Sequence, residues 1–417
     1  MNILYFTLDD FVSLDNYYSI NADLLREFVK NDHKVYVVSP TERRNGRKTY
    51  LVRKEKTFFL KPRIGNIQKT NVIEKGVSTI SIEPILIAAI KKYFRDERFD
   101  LILYCTPPIT FCKAVEYIKK RDGARTYLLL KDIFPQNAVD MGMLSRNGWK
   151  ALLYRYFRNK EKRLYAISDH IGCMSPANVA YVLKHNPEVR KRNDTERKNA
   201  GRGIIEVCPN SIEPVEKSIS VEERMQIRKK YGIPSDKMVF VYGGNLGKPQ
   251  GIPFMLKCLH SQQKNNKVFF LIVGSGTEYG RIERYIGKYR PNNIALHEFL
   301  PKEEYDKVVA ACDVGLIFLD HRFTIPNFPS RLLSYMQCRL PVLAVTDTAT
   351  DIGKVIVDGG FGWWCESKSV DNFKRKINEI LKEKEIYSFG EISYEYLCSN
   401  YTVEDSYKEI FRKKDEK

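Results

Sequence analysis

A glycine-rich turn at residues 243–251 directly follows the apolar stretch 239–242 and contains one lysine, Lys248. Glycine lets a ligand approach the backbone closely, the N-terminus of a following helix offers unpaired N–H groups, and the lysine adds a positive charge. These features suit a diphosphate. The spacing matches neither Gly-x-Gly-x-x-Gly nor the Gly-Lys-Ser/Thr of a Walker loop, so a purely structural turn is the alternative interpretation.

Two further segments of the same half carry groups that suit an anion. Gly274, Ser275 and Gly276 form a second glycine turn after the next apolar stretch. Within residues 323–332, Ser330 is placed to cap a helix and Arg331 follows in its first turn. A cation is unfavourable at that end of a helix dipole, which indicates that Arg331 meets a bound anion. The alternative is an arginine that only faces solvent.

The first half contains one carboxylate at a position typical of function. Lys131 and Asp132 follow the apolar stretch 128–130, and the carboxyl end of a strand is the functional end of an open α/β sheet. Asp132 is either a catalytic carboxylate or a helix N-cap, and the sequence favours neither. The sequence has no Cys-x-x-Cys, no His/Cys cluster with metal-ligand spacing and no Gly-x-Ser-x-Gly, so no metal site is expected.

Apolar strands and amphipathic helices alternate in two separate series. Strands are predicted at residues 2–8, 34–39, 101–104 and 125–130 in the first series and at residues 238–242, 268–273, 294–297, 314–318 and 342–345 in the second. This alternation predicts an α/β protein with two doubly wound, Rossmann-like domains. The boundary is expected near residues 210–220, with a ligand in the cleft between the domains.

Six short motifs follow one another at residues 31–40, 131–135, 209–212, 244–251, 329–336 and 341–344. The last five begin Lys-Asp-Ile-Phe-Pro, Pro-Asn-Ser-Ile, Gly-Asn-Leu-Gly, Pro-Ser-Arg-Leu-Leu and Pro-Val-Leu-Ala. In this order they resemble the family-4 glycosyltransferases of GT-B fold, particularly bacterial enzymes of surface-polysaccharide assembly (capsule, O-antigen or exopolysaccharide). The resemblance spans about residues 1–385.

The resemblance implies two domains that face each other across a cleft. Residues 1–212 would bind the acceptor, residues 213–390 would bind the nucleotide sugar, and residues 391–417 would form a C-terminal helix that crosses back to the first domain. The substrate would be a nucleotide diphosphate sugar, UDP-linked, and the acceptor a glycan or a polyprenyl-diphosphate-linked sugar. No cofactor is implied beyond the donor substrate, and the anomeric configuration would be retained.

The resemblance also implies a set of site residues. Lys248 and Arg331 would neutralise the donor diphosphate, and Asp132 would act on the reacting sugar or the acceptor as a catalytic residue. Fixed cations and amides would take the place of a metal ion. The remaining donor-binding residues implied are Gly243, Gly244, Asn245, Gly274, Ser275, Gly276, Glu298, Phe299, Leu300, Asn327, Ser330, Leu332 and Ser334.

Two departures from the family pattern concern the donor site. The family commonly has Glu-x7-Glu around the third motif, whereas this chain has Pro326 and Ser334 at those positions. Asn245 stands where an arginine often assists the lysine. The Lys248 and Arg331 pair is intact, but contacts to the ribose and the identity of the sugar are affected.

The positive charge is concentrated in the first half. The chain has 69 Lys+Arg and 51 Asp+Glu, a net charge of +18. Residues 1–200 hold 37 basic and 22 acidic side chains, and residues 201–417 hold 32 and 29. A basic acceptor domain indicates attraction to an anionic membrane surface, and residues 85–95 could be either an interfacial helix or an ordinary packed helix. No zinc finger, RNP-like motif or basic helix supports nucleic-acid binding.

The sequence also predicts a cellular location and leaves two alternative activities open. The chain start lacks the basic region of a secretory signal, and no apolar run approaches ~18 residues, so we expect a cytoplasmic, peripheral protein at the inner face of the cytoplasmic membrane. A sugar-nucleotide 2-epimerase of the same fold is one alternative, although the additional cleft carboxylates and histidines expected of it are missing. A non-catalytic GT-B subunit that binds a partner transferase is another.

Overall fold

The computed structural model describes residues 1–15, 18–67 and 72–412 of the chain. It divides into unit 1, Met1–Ile212 with Val403–Lys417, and unit 2, Glu213–Thr402. The division at residue 213 coincides with the boundary taken from the sequence. The return to unit 1 begins at Val403 rather than at residue 391, because the preceding helix packs within unit 2: a Cβ on its Gly390 would overlap the carbonyl oxygen of Arg339.

Unit 1 contains an eight-stranded sheet and a separate two-stranded ladder. In chain order its strands are β1 (Asn2–Phe6), β2 (Lys34–Val38), β3 (Thr41–Glu42), β4 (Tyr50–Lys54), β5 (Thr57–Lys61), β6 (Arg63–Ile64), β7 (Leu101–Cys105), β8 (Arg125–Leu130), β9 (His170–Cys173) and β10 (Ile205–Val207). The order in the large sheet is β10-β9-β8-β7-β1-β2-β5-β4, and β3 pairs with β6. Every pair in the large sheet is parallel except β4 with β5, which form an antiparallel hairpin. The central strands are buried and apolar, as a sheet with two covered faces requires.

The helices before β10 connect these strands. They are α1 (Ile20–Lys30), α2 (Val72–Tyr93), α3 (Cys112–Asp122), α4 (Gln136–Asp140), α5 (Lys150–Ile167), α6 (Pro176–His185) and α7 (Pro187–Ala200). Ser19 and Ser175 cap α1 and α6 by accepting hydrogen bonds from Ala22 and Asn178 backbone N–H groups. These two helices therefore start where a serine satisfies an otherwise unpaired backbone donor.

Unit 2 contains a six-stranded, fully parallel sheet. Its strands are β11 (Met238–Asn245), β12 (Val268–Ser275), β13 (Ile294–His297), β14 (Val314–Phe318), β15 (Val342–Thr346) and β16 (Gly362–Glu366), in the order β13-β12-β11-β14-β15-β16. Its helices are α8 (Val221–Lys230), α9 (Ile252–Ser261), α10 (Tyr279–Tyr289), α11 (Lys302–Ala310), α12 (Arg331–Gln337), α13 (Ile352–Asp358), α14 (Val370–Ile380) and α15 (Ile386–Asn400). The last helix, α16 (Val403–Phe411), returns to unit 1, where it packs against α1.

Both sheets reverse their winding direction at an identifiable point. In unit 1 the chain winds outward from β1 on one side and from β7 on the other, and in unit 2 it does so from β11 and β14. Ligands of doubly wound sheets bind outside the carboxyl ends of the strands at such points. The doubly wound α/β architecture expected from the sequence is confirmed in each unit.

Residues 85–95, which the sequence offered as a candidate for membrane contact, include the end of helix α2, and this helix is packed in unit 1. Ile82, Leu86 and Ile90 of α2 are buried in the unit's interior. The apolar face within residues 85–95 is therefore an ordinary packing face, and the interfacial interpretation of this segment is wrong. Across residues 1–15, 18–67 and 72–412, none of the helices combines the length and hydropathy needed to span a bilayer.

Candidate active site

Two glycine turns meet at the carboxyl ends of β11 and β12. The Leu246 N–H donates to the Ser275 carbonyl at 2.8 Å, and the Leu246 carbonyl accepts from the Glu278 N–H at 2.9 Å. Gly244, Asn245 and Ser275 are exposed at this edge. The two turns are thus joined by backbone hydrogen bonds into one continuous exposed surface.

Side chains larger than hydrogen do not fit where the turns touch. A Cβ on Gly274 would overlap the Gly244 carbonyl oxygen, and one on Gly276 would overlap that of Leu246. Gly244 has a φ of +106°, which L side chains rarely adopt. The glycine pattern noted in the sequence is therefore a requirement of close backbone packing, and it also leaves room for a ligand.

Arg331 is the unusual group of this edge. Its guanidinium carbon lies 4.3 Å from the centroid of the Tyr242 ring, and a Cβ on Gly244 would lie 3.9 Å from its Nη2. Among the described residues, its buried Nη1 has no hydrogen-bond partner. Burial opposes the charge, but Tyr242 and Tyr335 outweigh it and raise the pKa of Arg331 above its ordinary value. A fixed cation with an unused donor therefore lies beside the glycine turn.

Tyrosines hold this arginine and the turn in place. The Tyr335 hydroxyl accepts from the Gly243 N–H and donates to the Leu316 carbonyl, both at 3.0 Å. The Tyr242 hydroxyl donates to the Asn245 carbonyl at 2.9 Å. Burial raises the pKa of Tyr335 and that of Tyr242, so both hydroxyl groups stay neutral and can donate hydrogen bonds. These bonds tie β11, β14 and α12 together around the guanidinium.

Lys248 lies in the glycine-rich loop after β11, and its side chain has no partner among the described residues. It is exposed and opens a short 3₁₀ turn, Lys248–Gln250, and across the described residues its ammonium forms no ion pair or hydrogen bond. The turn is fixed by a 3.0 Å bond from the Gly247 N–H to the Gln250 side chain and a 2.9 Å bond from the Asp320 N–H to the Pro249 carbonyl. The second bond joins the loops after β11 and β14, the strands at the switch point.

Several residues expected at the donor site have structural roles. The Gly243 N–H is taken by Tyr335, and Leu332 is buried with its N–H bonded to the Pro329 carbonyl, so neither presents a donor to a ligand. Ser330 makes no side-chain cap for α12 and has helical backbone angles, so the expected capping role is wrong. Its side chain is instead exposed at the helix start.

The remaining residues expected at the donor site are placed at strand ends. Glu298 and Phe299 are exposed just after β13, and Leu300 is half-buried beside them. The Asn327 N–H donates to the Thr350 hydroxyl at 3.0 Å. Ser334 is half-buried on α12.

Asp132 occupies the equivalent edge of unit 1, after β8. Its Oδ2 accepts from the Asn137 amide at 2.6 Å, while its buried Oδ1 has no partner among the described residues. Burial raises the pKa of Asp132 to about 6. Helix α4 starts four residues later with Pro135 at its N-cap, so Asp132 is not a helix cap. The helix-cap interpretation is therefore wrong, and the catalytic interpretation stays a prediction.

A polar chain beside Asp132 was not identified from the sequence. The Lys131 ammonium donates to Asn21 at 2.6 Å, and the Asn21 amide donates to Asp9 at 2.7 Å. Burial lowers the pKa of Lys131, although nearby Asp9 opposes the shift. The signal was available, because Asp9 and Asp10 follow the first apolar strand directly. These residues come from the ends of β1 and β8 and the start of α1.

Unit 1 also contains a cavity of about 320 Å³ near the ends of β1 and β2. The lining side chains combine apolar and charged groups: Leu8, Asp10, Pro40, Glu42, Arg44, Asn45, Ile64 and Ile67. Behind it, the buried Lys61 ammonium donates to Asp10 at 2.5 Å and to Ser39 at 2.8 Å. Within the described ranges, no group of three or more His, Cys, Asp or Glu side chains has the geometry to hold a metal ion.

The chain resembles known proteins over most of its length. Residues 223–391 match the family Glycosyl transferases group 1. The "Probable glycosyltransferase WbjE" of Pseudomonas aeruginosa is 25% identical over 340 residues, which cover 80% of this chain and 78% of WbjE. WaaG, a glycosyltransferase involved in lipopolysaccharide biosynthesis, has 13% identity and a TM-score of 0.66 over 99% of this chain and 100% of WaaG. Anabaena Alr3699/HepE, solved with UDP-glucose, has 13% identity and a TM-score of 0.64 over 98% of both chains.

Proposed function

We propose that the protein transfers a sugar from a nucleotide diphosphate sugar to a glycan or polyprenyl-diphosphate-linked acceptor, because residues 223–391 match the family Glycosyl transferases group 1 and the chain has the GT-B fold. The observation that carries this proposal is Arg331. It presents an unpaired, buried N–H donor beside exposed glycine backbone at the switch point of unit 2. A diphosphate is the ligand that satisfies such a group.

The proposed chemistry is stabilisation of a leaving diphosphate. When the anomeric C–O bond breaks, negative charge grows on the diphosphate oxygens. Arg331 can donate two charge-assisted hydrogen bonds, and Lys248 adds a second charge from the neighbouring turn. Because the Tyr242 ring already orients the guanidinium, little reorganisation is needed as the charge develops. We propose that these two cations act without a metal ion.

The donor is proposed to be UDP-linked, and the anomeric configuration to be retained. The likeness to Alr3699/HepE, which was solved with UDP-glucose, supports the nucleotide. The exposed Phe299 beside β13 offers a ring on which a base could stack. The likeness to WaaG, which is involved in lipopolysaccharide biosynthesis, supports a role in cell-surface polysaccharide assembly. We also propose that the protein acts at the cytoplasmic face of the membrane.

Asp132 is proposed to act on the acceptor side. Its pKa of about 6 keeps most of it ionised at pH 7, and its unpartnered Oδ1 can accept a hydrogen bond from a hydroxyl group. The cavity of unit 1, which has both apolar and charged walls, offers space for part of the acceptor. These two features lie at the carboxyl edge of one sheet.

The proposal is tested by incubating the protein with a panel of nucleotide sugars and a lipid-diphosphate-linked acceptor. We expect release of the nucleoside diphosphate together with a new glycoside of retained configuration, and unchanged turnover in EDTA. If no donor is consumed, or if Arg331→Ala and Lys248→Ala leave turnover unchanged, the site assignment is wrong. Epimerisation of the nucleotide sugar without an acceptor would instead identify a 2-epimerase.

A further inference from the structure

Helix α5 of unit 1, together with its N-cap residue Trp149, carries a stripe of large apolar side chains that are exposed among the described residues. The exposed fractions are 80% for Trp149, 71% for Leu152, 44% for Leu153 and 40% for Tyr156. Their spacing of three, one and three residues places all four side chains on one side of a helix. Single exposed apolar residues are ordinary, but an uninterrupted stripe of large ones marks an interaction surface.

The opposite side of α5 is firmly packed, so the stripe is a fixed surface. The Phe157 ring meets Phe134 edge-on, with 5.0 Å between the ring centroids. Leu164 and Tyr165 are buried in unit 1, and Arg158 pairs with Glu161 on the helix itself. The helix therefore presents Trp149 and its neighbours outward, because its opposite face packs against the rest of unit 1.

The side-chain charges on α5 itself are almost all positive. Three of its cations, Arg158, Lys160 and Arg163, form ion pairs, with Glu161, Glu83 and Glu116 respectively. Residues 150–163 contain six Lys and Arg side chains and a single acidic one, Glu161. Arg155 and Lys162 are exposed on one side of the stripe, and the Lys150 ammonium lies 5.7 Å from the Trp149 ring on the other. Arg155 has no ion pair or hydrogen bond with any described residue. The surface is complementary to an apolar layer bordered by anions.

We infer that the α5 stripe of Trp149, Leu152, Leu153 and Tyr156 inserts into the interface of a membrane that contains anionic lipids. Tryptophan and tyrosine favour the headgroup boundary, the two leucines reach the acyl region, and the flanking cations bind lipid phosphates. A protein partner of ordinary composition would not require cations on both sides of the stripe. This surface lies on α5, whereas the sequence pointed to α2.

The inference locates the membrane association that accompanies the proposed function, and it does not depend on sugar transfer. Vesicle binding needs neither a donor nor an acceptor, while binding of UDP needs no vesicle. A protein that binds vesicles but not UDP would leave the inference intact and refute the proposed function. A protein that binds UDP but not anionic vesicles would leave the proposed function intact and overturn the inference.

The test is sedimentation with vesicles of phosphatidylglycerol and phosphatidylcholine, compared with phosphatidylcholine alone. We expect binding to the anionic vesicles, and a loss of at least about tenfold in Leu152→Glu/Leu153→Glu. The matched control is Ile80→Glu, because Ile80 of α2 is 65% exposed in the same unit but outside the stripe. It should bind as the unmodified protein does.

A second measurement needs no destabilising substitution. Trp149 is the exposed tryptophan of this chain, whereas Trp363 is buried and Trp364 half-buried. Its emission should shift to the blue on anionic vesicles and be quenched by brominated acyl chains, and Trp149→Phe should abolish both changes. Unchanged emission would overturn the inference, as would vesicle binding that survives the double substitution. A dimer in solution that the double substitution dissociates would also overturn it, because a second copy would then cover the stripe.

Discussion

Replacing Arg331 by methionine separates the binding role of this residue from any structural role. In the free protein, the substitution removes a cation–π contact with Tyr242 worth about 1–2 kcal/mol. It also removes the penalty of a buried donor that lacks a partner, about 1–3 kcal/mol. Because the two terms oppose each other, we expect the free energy of unfolding to change by no more than about 2 kcal/mol.

The cost to activity should be far larger. Two charge-assisted hydrogen bonds to the leaving diphosphate are worth about 3–6 kcal/mol together. Since about 1.4 kcal/mol corresponds to a factor of ten, kcat/KM for the nucleotide sugar should fall by about 10²- to 10⁴-fold in Arg331→Met. The matched control is Arg284→Met, because Arg284 is exposed on α10 and, within the described part of the chain, bonds only to the Gly280 carbonyl of its own helix.

Two assays on the same preparations test whether Arg331 binds the diphosphate or stabilises the fold. Thermal unfolding of the free protein measures stability, and the rate of nucleoside diphosphate release measures kcat/KM. UDP should raise the unfolding midpoint of the unmodified protein and of Arg284→Met, but not that of Arg331→Met. A large loss of stability in Arg331→Met without UDP, or an unchanged kcat/KM, would refute the assignment of Arg331 as a diphosphate ligand.

Three further substitutions test other parts of the account. Lys248→Ala should leave the unfolding midpoint unchanged, because the side chain is exposed and unpaired within the described residues, yet raise the donor KM at least about tenfold in steady-state assays. Asp132→Asn should gain stability relative to the unmodified protein as pH rises from about 4 to 6, by up to about 3 kcal/mol, because burial favours the protonated carboxyl group; denaturant titrations at several pH values measure this difference, and a constant difference would contradict it. Gly274→Ala should abolish UDP binding in calorimetry because its Cβ overlaps the Gly244 carbonyl, whereas Gly280→Ala, with no atom within 4 Å of its Cβ, should bind normally; equal affinities would show that the backbone packing of the turns is irrelevant.

The strands and the glycine turns could be predicted from the sequence because their signals are local. Apolar runs of five to eight residues followed by glycine or a charged pair mark buried parallel strands and their carboxyl ends. Residues 50–61 carry a weaker pattern, and the hairpin of β4 and β5 was not predicted. Residues 184–203 are largely polar, and no helix was predicted there. They instead contain the helix α7, whose buried Asn193 accepts the Ile205 N–H at 3.2 Å.

The structural reason why Arg331 is suited to bind an anion could not be derived from the sequence. The sequence indicated an anion through the helix dipole, but the structural reason is the Tyr242 ring and an unsatisfied donor. Tyr242 and Arg331 are far apart in the chain, and only the pairing of β11 with β14 brings them together. In the same way, the sequence could not show which apolar face is buried, so α2 was considered for membrane contact and α5 was overlooked.

The central claim is that the sheet edge of unit 2 binds a nucleotide through its diphosphate. The most direct measurement is calorimetric titration of UDP and of uridine into the unmodified protein and into Arg331→Met. We expect the unmodified protein to bind UDP at least about a hundredfold more tightly than uridine, and this ratio to fall at least about tenfold in the variant, in which Lys248 still contributes. An undiminished ratio in Arg331→Met, or equal affinities for UDP and uridine in the unmodified protein, would contradict the account.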